Sequence, residues 1–218
     1  MNDREDEELL SAGLRELAVK PSSDPAWSRL PALRVIDCIL SLNRPYDSFV
    51  VPRLNRFERE HPSVRAISDL HKMIASSLSP HQFVLINLNY DHEERADTLN
   101  AVVKWLVTIS GRGSEQGQLS NLERWAGNSQ PQDHSRLAIR GFGLAGFQYL
   151  RMLFGANTTK PDRYICQFVE SHIGRKVKDL EAVQLLQRAA QLAGINLRDL
   201  DTTIWEASAR KGQCTDPC

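Results

Sequence analysis

The sequence predicts an all-α protein, on three observations. Apolar residues recur at helical spacing along most of the chain, strand-type alternation is nearly absent, and Ser, Asn, Pro and Gly stand where helices need starts and stops. Only "FVLINLNY" competes as a strand, and Pro80 ahead of it, together with the length of the run, favours a helix. No repeat of solenoid period is present.

The elements follow in order. Residues 1–26 form an acidic N-terminal segment; it opens "MNDREDEELL", with no positive stretch ahead of an apolar core, so no secretory signal is expected. "WSRLPALRVIDCILSL" places Leu33, Ile36, Ile39 and Leu40 on one helical face. "SFVVPRLNRFERE" and "SVRAISDLHKMIASSL" come next, the second with Ser63 as its candidate N-cap. Ser79 and Pro80 open "SPHQFVLINL", and "DHEERADTLNAVVKWLVTIS" carries its acids early, which suits the helix dipole. Polar, glycine-containing "GRGSEQGQ" and "GNSQPQDHS" flank a short helix, "LSNLERWA". The last helices are "DRYICQFVESHIG", "DLEAVQLLQRAAQLAG" and "NLRDLDTTIWEASARKG", with Gly174 and Gly194 as C-caps and Asn196 as an N-cap.

Composition sets bounds. The 218 residues are 41% hydrophobic and 25% charged, enough for one large domain or two small lobes sharing a cleft. A net charge of +0 selects no partner, although a local basic face is compatible with a neutral total. No apolar run approaches bilayer-spanning length, so a cytoplasmic protein is expected. Cys38 and Cys166 lie in apolar helical patterns and read as core residues. Cys214 and Cys218, in the tail 211–218, lack the neighbouring ligands that a metal or iron–sulfur site requires. His61, His71, His81 and His92 are scattered without metal-ligand spacing, and no Ser or Cys stands in a nucleophile frame, so no metal is expected. Trp27, Trp105, Trp125 and Trp205 fall on apolar faces and read as core.

One stretch carries more. "IRGFGLAGFQYLRMLFGANTTKPDRY" (139–164) sets Gly141 and Gly143 either side of Phe142, immediately before a helical run, and ends on Pro161-Asp162. Glycines permit positive φ and close backbone approach, and the free N–H groups of the following helix start attract an anion. With "DHSRLAI" as a short preceding helix, this is a helix–turn–helix able to hold one DNA phosphate through main-chain donors. A dinucleotide fingerprint needs a preceding strand and a third glycine at fixed spacing, and both are missing. A plain inter-helix turn is the competing reading. Arg136, Arg140, Arg151, Lys160, Arg163, Arg175, Lys176 and Lys178 cluster along this part of the chain against only Asp162 and Glu170, which favours a phosphate. Pro161-Asp162 by itself is equally a good helix opening.

These residues resemble the helix-hairpin-helix DNA glycosylase superfamily, the endonuclease III and adenine glycosylase group, and in particular a bacterial branch without an iron–sulfur cluster. Members carry an L-P-G-[VI]-G hairpin, a helix, and then an essential Asp at the opening of the next helix; Gly141, Gly143 and Asp162 fall at those places. "VIDCILSLNRPYDSFVVPRLNRF" is similar to the early helix pair whose turn supplies a duplex wedge, with Asn43 at the wedge position and Tyr46 beside it. The similarity runs from about residue 30 to residue 210 at the level of pattern, and the hairpin–Asp spacing is its most specific part.

The resemblance implies two helical lobes with the substrate cleft between them. A barrel lobe would span 46–155, with the hairpin at 136–155; the other would combine 27–45 with 156–210. It implies double-stranded DNA as partner, held by Gly141, Gly143, Arg140, Gly146, Lys160 and Arg163, with no membrane and a nucleoid association in a bacterium. Asp162 would be the catalytic carboxylate that stabilises oxocarbenium character and activates water, while Tyr149 and Tyr164 either stack on a flipped base or simply pack. No cofactor is called for beyond, at most, a monovalent cation at the hairpin. Bifunctional members place a Schiff-base Lys where this chain has Ala145, so a monofunctional N-glycosylase without lyase activity is expected. Arg140 replaces the usual Pro, and Phe147 is bulkier than the usual small residue. A non-catalytic hairpin DNA-binding protein and an all-α interaction module are the alternatives.

Overall fold

A computed structural model describes residues 3–22 and 25–213; Cys214 and Cys218 lie outside the described residues. Those residues form eleven α-helices and no strand. They are α1 Asp3–Arg15, α2 Pro31–Leu40, α3 Val51–Glu60, α4 Ile67–Ser76, α5 Pro80–Leu88, α6 Glu93–Ser110, α7 Glu115–Asn128, α8 Leu144–Leu153, α9 Arg163–Ile173, α10 Asp179–Ala193 and α11 Leu197–Gln213. No helix among them is long and apolar enough to cross a membrane.

Caps explain most boundaries. Ser79 accepts the N–H of Gln82 to start α5, and Asn196 accepts those of Arg198 and Asp199 to start α11. Gly174 and Gly194 end α9 and α10 in the left-handed conformation, as the sequence leads one to expect. Ser63 is not the cap of α4. That helix begins at Ile67, because Asp69 reaches back to the N–H groups of Arg65 and Ala66 and satisfies them itself. Helix α7 also begins earlier than expected: Ser114 caps it within the polar glycine-containing stretch.

Two hydrophobic clusters organise the helices. The larger gathers residues between Ala26 and Ala156 from α2 to α8, with Phe57, Phe83, Phe147 and Phe154 essentially inaccessible. Phe147 meets Trp125 edge-on at 5.9 Å, and Trp105 meets Trp125 at 5.1 Å, so the bulky residue after the hairpin fills a tryptophan-lined part of the core. The smaller cluster joins α1 to α9, α10 and α11 through Leu10, Leu14, Val169, Leu186 and Leu200.

This grouping departs from the expected residue bounds. The sequence expectation joins 27–45 to the C-terminal helices, whereas α2 is wholly buried and packs in the larger cluster. Residues 1–26 were set apart as an acidic segment, yet α1 is part of the smaller cluster. Leu10 and Leu14 are fully buried, each worth about 1.5–3 kcal/mol of transfer free energy, and Asp6 is buried in an ion pair with Arg175 at 2.6 Å. Acidic composition hid the apolar stripe of α1.

Candidate functional site

The glycine turn at 139–143, the expected hairpin, packs on the start of α6. Ile139 accepts the N–H of Phe142 at 3.1 Å, closing a turn in which Gly141 has φ +76°. A Cβ on Gly141 would stand 2.8 Å from the Thr98 hydroxyl, which itself lies 3.0 Å from the Arg140 carbonyl. Gly141 is thus required twice, by its dihedral and by its neighbour. Gly143 differs: its φ is −85°, it holds the N-cap position of α8, and a Cβ there would meet nothing. What Gly143 leaves is open space before a helix start. The expected helix ahead of the turn is a six-residue 3-10 segment, Pro131–Arg136.

Gly146 faces inward. It is buried, a Cβ on it would meet Phe142 at 3.0 Å and Leu42 at 3.1 Å, and its carbonyl accepts the Cys38 thiol at 3.3 Å. It serves close packing of α8 on α2. Arg95 then joins two exposed features. Its guanidinium donates to the carbonyls of Gly141 at 3.4 Å and Leu42 at 3.3 Å. Asn43, exposed and in the left-handed conformation, follows directly, so the wedge candidate and the hairpin are tied together. Tyr46 is drawn the other way: its hydroxyl donates to Asp37 at 3.0 Å and accepts from Arg29 at 2.8 Å.

The basic run does not form one face. Arg140 is 88% exposed and pairs with Glu94 at 2.6 Å. Arg151 is buried and donates to the Ala126 carbonyl and to Gln148. Arg175 binds Asp6 and Glu181, and Lys176 binds Glu170. Helical periodicity, which linear counting ignores, turns these cations in different directions.

Residues 156–162 strap α8 to α9 and are fastened by side chains. Thr158 accepts from Gln148 at 2.7 Å, Asn157 accepts the N–H of Leu197 at 2.7 Å, and Asp201 takes both the Thr159 hydroxyl at 2.6 Å and the Lys160 N–H at 3.0 Å. The strap delivers Asp162 to the N-cap of α9, where its Oδ1 accepts the N–H groups of Tyr164 and Ile165 at 2.9 and 3.0 Å. Its Oδ2 stands 3.8 Å from the Lys160 ammonium. Arg163 is exposed and lies over the Tyr164 ring, which belongs to a hollow in the smaller cluster with Leu17 and Phe168. Tyr149 is elsewhere: buried, with its hydroxyl on Asp37 at 3.2 Å and the Lys160 ammonium 4.6 Å from its ring centre. The two tyrosines are not partners in one pocket.

A cavity of about 600 Å³ lies where the two clusters meet, walled by Arg29, Tyr46, Tyr149, Lys160, Asp201 and Trp205 among others. Trp205, expected in the core, is part of this wall. Asp162 is outside the wall, one ion-pair distance behind Lys160. Behind the wall Asp37 is fully buried and accepts from Arg29, Tyr46, Ser41 and Tyr149. Against the burial that opposes its charge, Asp37 and Tyr46 hold the Arg29 guanidinium above its ordinary value. Burial pushes the Asp201 carboxyl up to about 6; Lys160 and the Thr159 hydroxyl oppose that rise, and Asp162 adds to it. Among the described residues no His, Cys, Asp or Glu cluster could hold a metal ion.

Asp37, Thr98, Arg95 and Asp201 were missed from sequence. Two of them left a signal: Asp37 interrupts the apolar run "VIDCIL", and Asp201 sits on the buried stripe Leu197, Leu200, Ile204. An acid on an apolar stripe announces a buried polar function. Residues 118–209, less than half of the chain, match the family model of a domain of unknown function (DUF8548), a stretch that runs from α7 through the hairpin and strap into α11. No curated protein and no solved structure matches the chain.

Proposed function

We propose that the protein is a monofunctional DNA N-glycosylase of the helix-hairpin-helix kind, which extrudes a damaged or mismatched nucleotide into the cavity where the two clusters meet. The hairpin holds a backbone phosphate at the start of α8, Asn43 fills the vacated stack, and Asp162 stabilises the sugar cation and directs water to it. One observation carries this reading. Gly141 is locked into a left-handed turn against Thr98 while Gly143 leaves its helix start uncovered, and Arg95 ties that turn to the one bearing Asn43. A phosphate-ready turn and a wedge candidate thereby share one support.

The test is base release from duplexes that each carry one uracil, hypoxanthine, oxidised guanine or ethenoadenine, or an unmodified A·G mismatch. Asp162→Asn keeps a cap on α9, because Asn caps as well as Asp, and should slow release by at least about 100-fold while duplex affinity stays within about twofold. Arg140→Glu should weaken duplex binding in a salt-dependent manner. Absence of base release from every duplex, with binding retained, selects a second reading: a non-catalytic DNA-binding protein. A specific observation favours it, since Asp162 spends Oδ1 on the α9 cap and stands outside the cavity wall.

A further inference from the structure

Resting on the glycosylase reading, we propose that Asp201 is a second catalytic carboxyl, the acid that protonates the departing base in the cavity. Of the two carboxyl groups flanking Lys160, Asp201 is the one in the cavity wall. It is nearly inaccessible, comes from α11 in the smaller cluster, and faces Arg29, Tyr46 and Tyr149 from the larger one. Both of its hydrogen bonds, from Thr159 and from the Lys160 N–H, end on Oδ1; among the described residues no donor reaches Oδ2. A cavity-wall carboxyl whose two hydrogen bonds both fall on one oxygen keeps acceptor capacity for exchanging a proton.

The surroundings favour the protonated form to higher pH than an ordinary carboxyl allows. Burial raises the group to about 6, and the charges that act on it are Lys160 and Asp162 on the strap. Across the cavity stand Arg29, Tyr46 and Tyr149; Lys20, Asp47 and, on α11 itself, Glu206 complete the charged part of the wall. Arg29 is already committed to Asp37, which leaves Lys160 as the cation nearest in effect. Two carboxyl groups in unlike settings divide acid and base duties.

The step balances. The Asp201 O–H gives its proton to a ring nitrogen of the flipped base as the C1′–N bond breaks, and both electrons of that bond leave with the base. Water adds its oxygen to C1′ of the resulting cation, and the proton it releases passes to Asp162. Asp162 returns that proton to solvent, and solvent reprotonates Asp201. The products are the free base and an abasic site.

Single-turnover base release, measured from pH 5 to pH 8.5 on the duplex panel above, tests the proposal. The wild type should lose about tenfold in rate per pH unit above the Asp201 transition. Asp201→Asn, which keeps an acceptor for Thr159, should lose that limb and release base about 100-fold more slowly at the acidic end. Thr159→Val removes a hydrogen bond that favours the charged form, and should carry the limb to higher pH with the maximal rate retained. Circular dichroism and Tm verify folding of both variants. If the wild type releases base and Asp201→Asn reproduces its pH profile, or Thr159→Val leaves the limb in place, Asp201 is structural and this proposal fails while the glycosylase reading stands. If the wild type releases no base, both fail together.

Discussion

Asp37 and Asp201 are both buried aspartates beside one cavity, and they are held in opposite ways. Asp37 is enclosed by the larger cluster, and each of its oxygens has two donors: Ser41 and Tyr149 on one, Arg29 and Tyr46 on the other. Asp201 comes from α11 in the smaller cluster, lines the cavity, and takes both of its donors on one oxygen. The first is a satisfied network, which fixes structure; the second has acceptor capacity to spare, which suits chemistry. Burial is common to both acids; the acceptor capacity left open is where they differ.

The largest effect expected falls on the filled site. Asp37→Ala removes the ion-pair partner of the mostly buried Arg29 and the Asp37 acceptor of Tyr46 and Tyr149, so it should destabilise the fold by about 3–5 kcal/mol in urea unfolding. A loss below about 1 kcal/mol would break the contrast, because the network would then not be holding α2 to the wall of the cavity.

The open site should respond with the opposite sign. The folded-state value of Asp201, about 6, lies above the ordinary carboxyl value of 3.8. A protonated Asp201 therefore favours the folded state, and that contribution is complete below pH 3.8 and lost as pH rises through about 6. Asp201→Asn is neutral throughout and escapes the loss, so it should be more stable than wild type by about 1–3 kcal/mol at pH 7.5. The gap should close by pH 3.8, and urea unfolding at the two pH values measures it. A variant less stable than wild type at both would place Asp201 with Asp37, as an acid whose hydrogen bonds the fold needs.

What could be read from sequence divides along the same line. Local rules located the α5, α9, α10 and α11 caps and the turn at Gly141, because each needs only residues a few positions apart. The partners of Asp6, Asp37 and Asp201 come from distant positions; Arg175 is 169 residues from Asp6, and Tyr149 is 112 from Asp37. No spacing rule reaches that far, so the sequence does not reveal that α1 packs in the smaller cluster and α2 in the larger. The basic run failed for a related reason: nearness in sequence said nothing about which cations α8 would turn inward, as it does Arg151. The part of the candidate site legible in sequence, Gly141 to Asp162, is built from one continuous stretch.

Filled and open positions also alternate within the hairpin. Gly141→Ala forces a side chain into φ +76° and against the Thr98 hydroxyl, and should cost about 1–2 kcal/mol of stability, read as a lowered Tm. A smaller loss would mean that the turn is free to rearrange and that its backbone donors are not preset.

Gly143→Ala separates stability from binding. At φ −85° with nothing near its Cβ, alanine fits without strain, so unfolding should shift by less than about 0.5 kcal/mol. Under the proposed phosphate site, the added methyl stands in the space that the phosphate would need to reach the first N–H groups of α8. Duplex affinity, followed by fluorescence anisotropy across a salt series, should fall about tenfold, and the slope of log K against log salt should shrink by about one phosphate contact. Wild-type affinity in this variant would assign the open space at Gly143 to solvent. The hairpin would then be only an inter-helix turn, and the contrast between filled and open positions would hold for the aspartates alone.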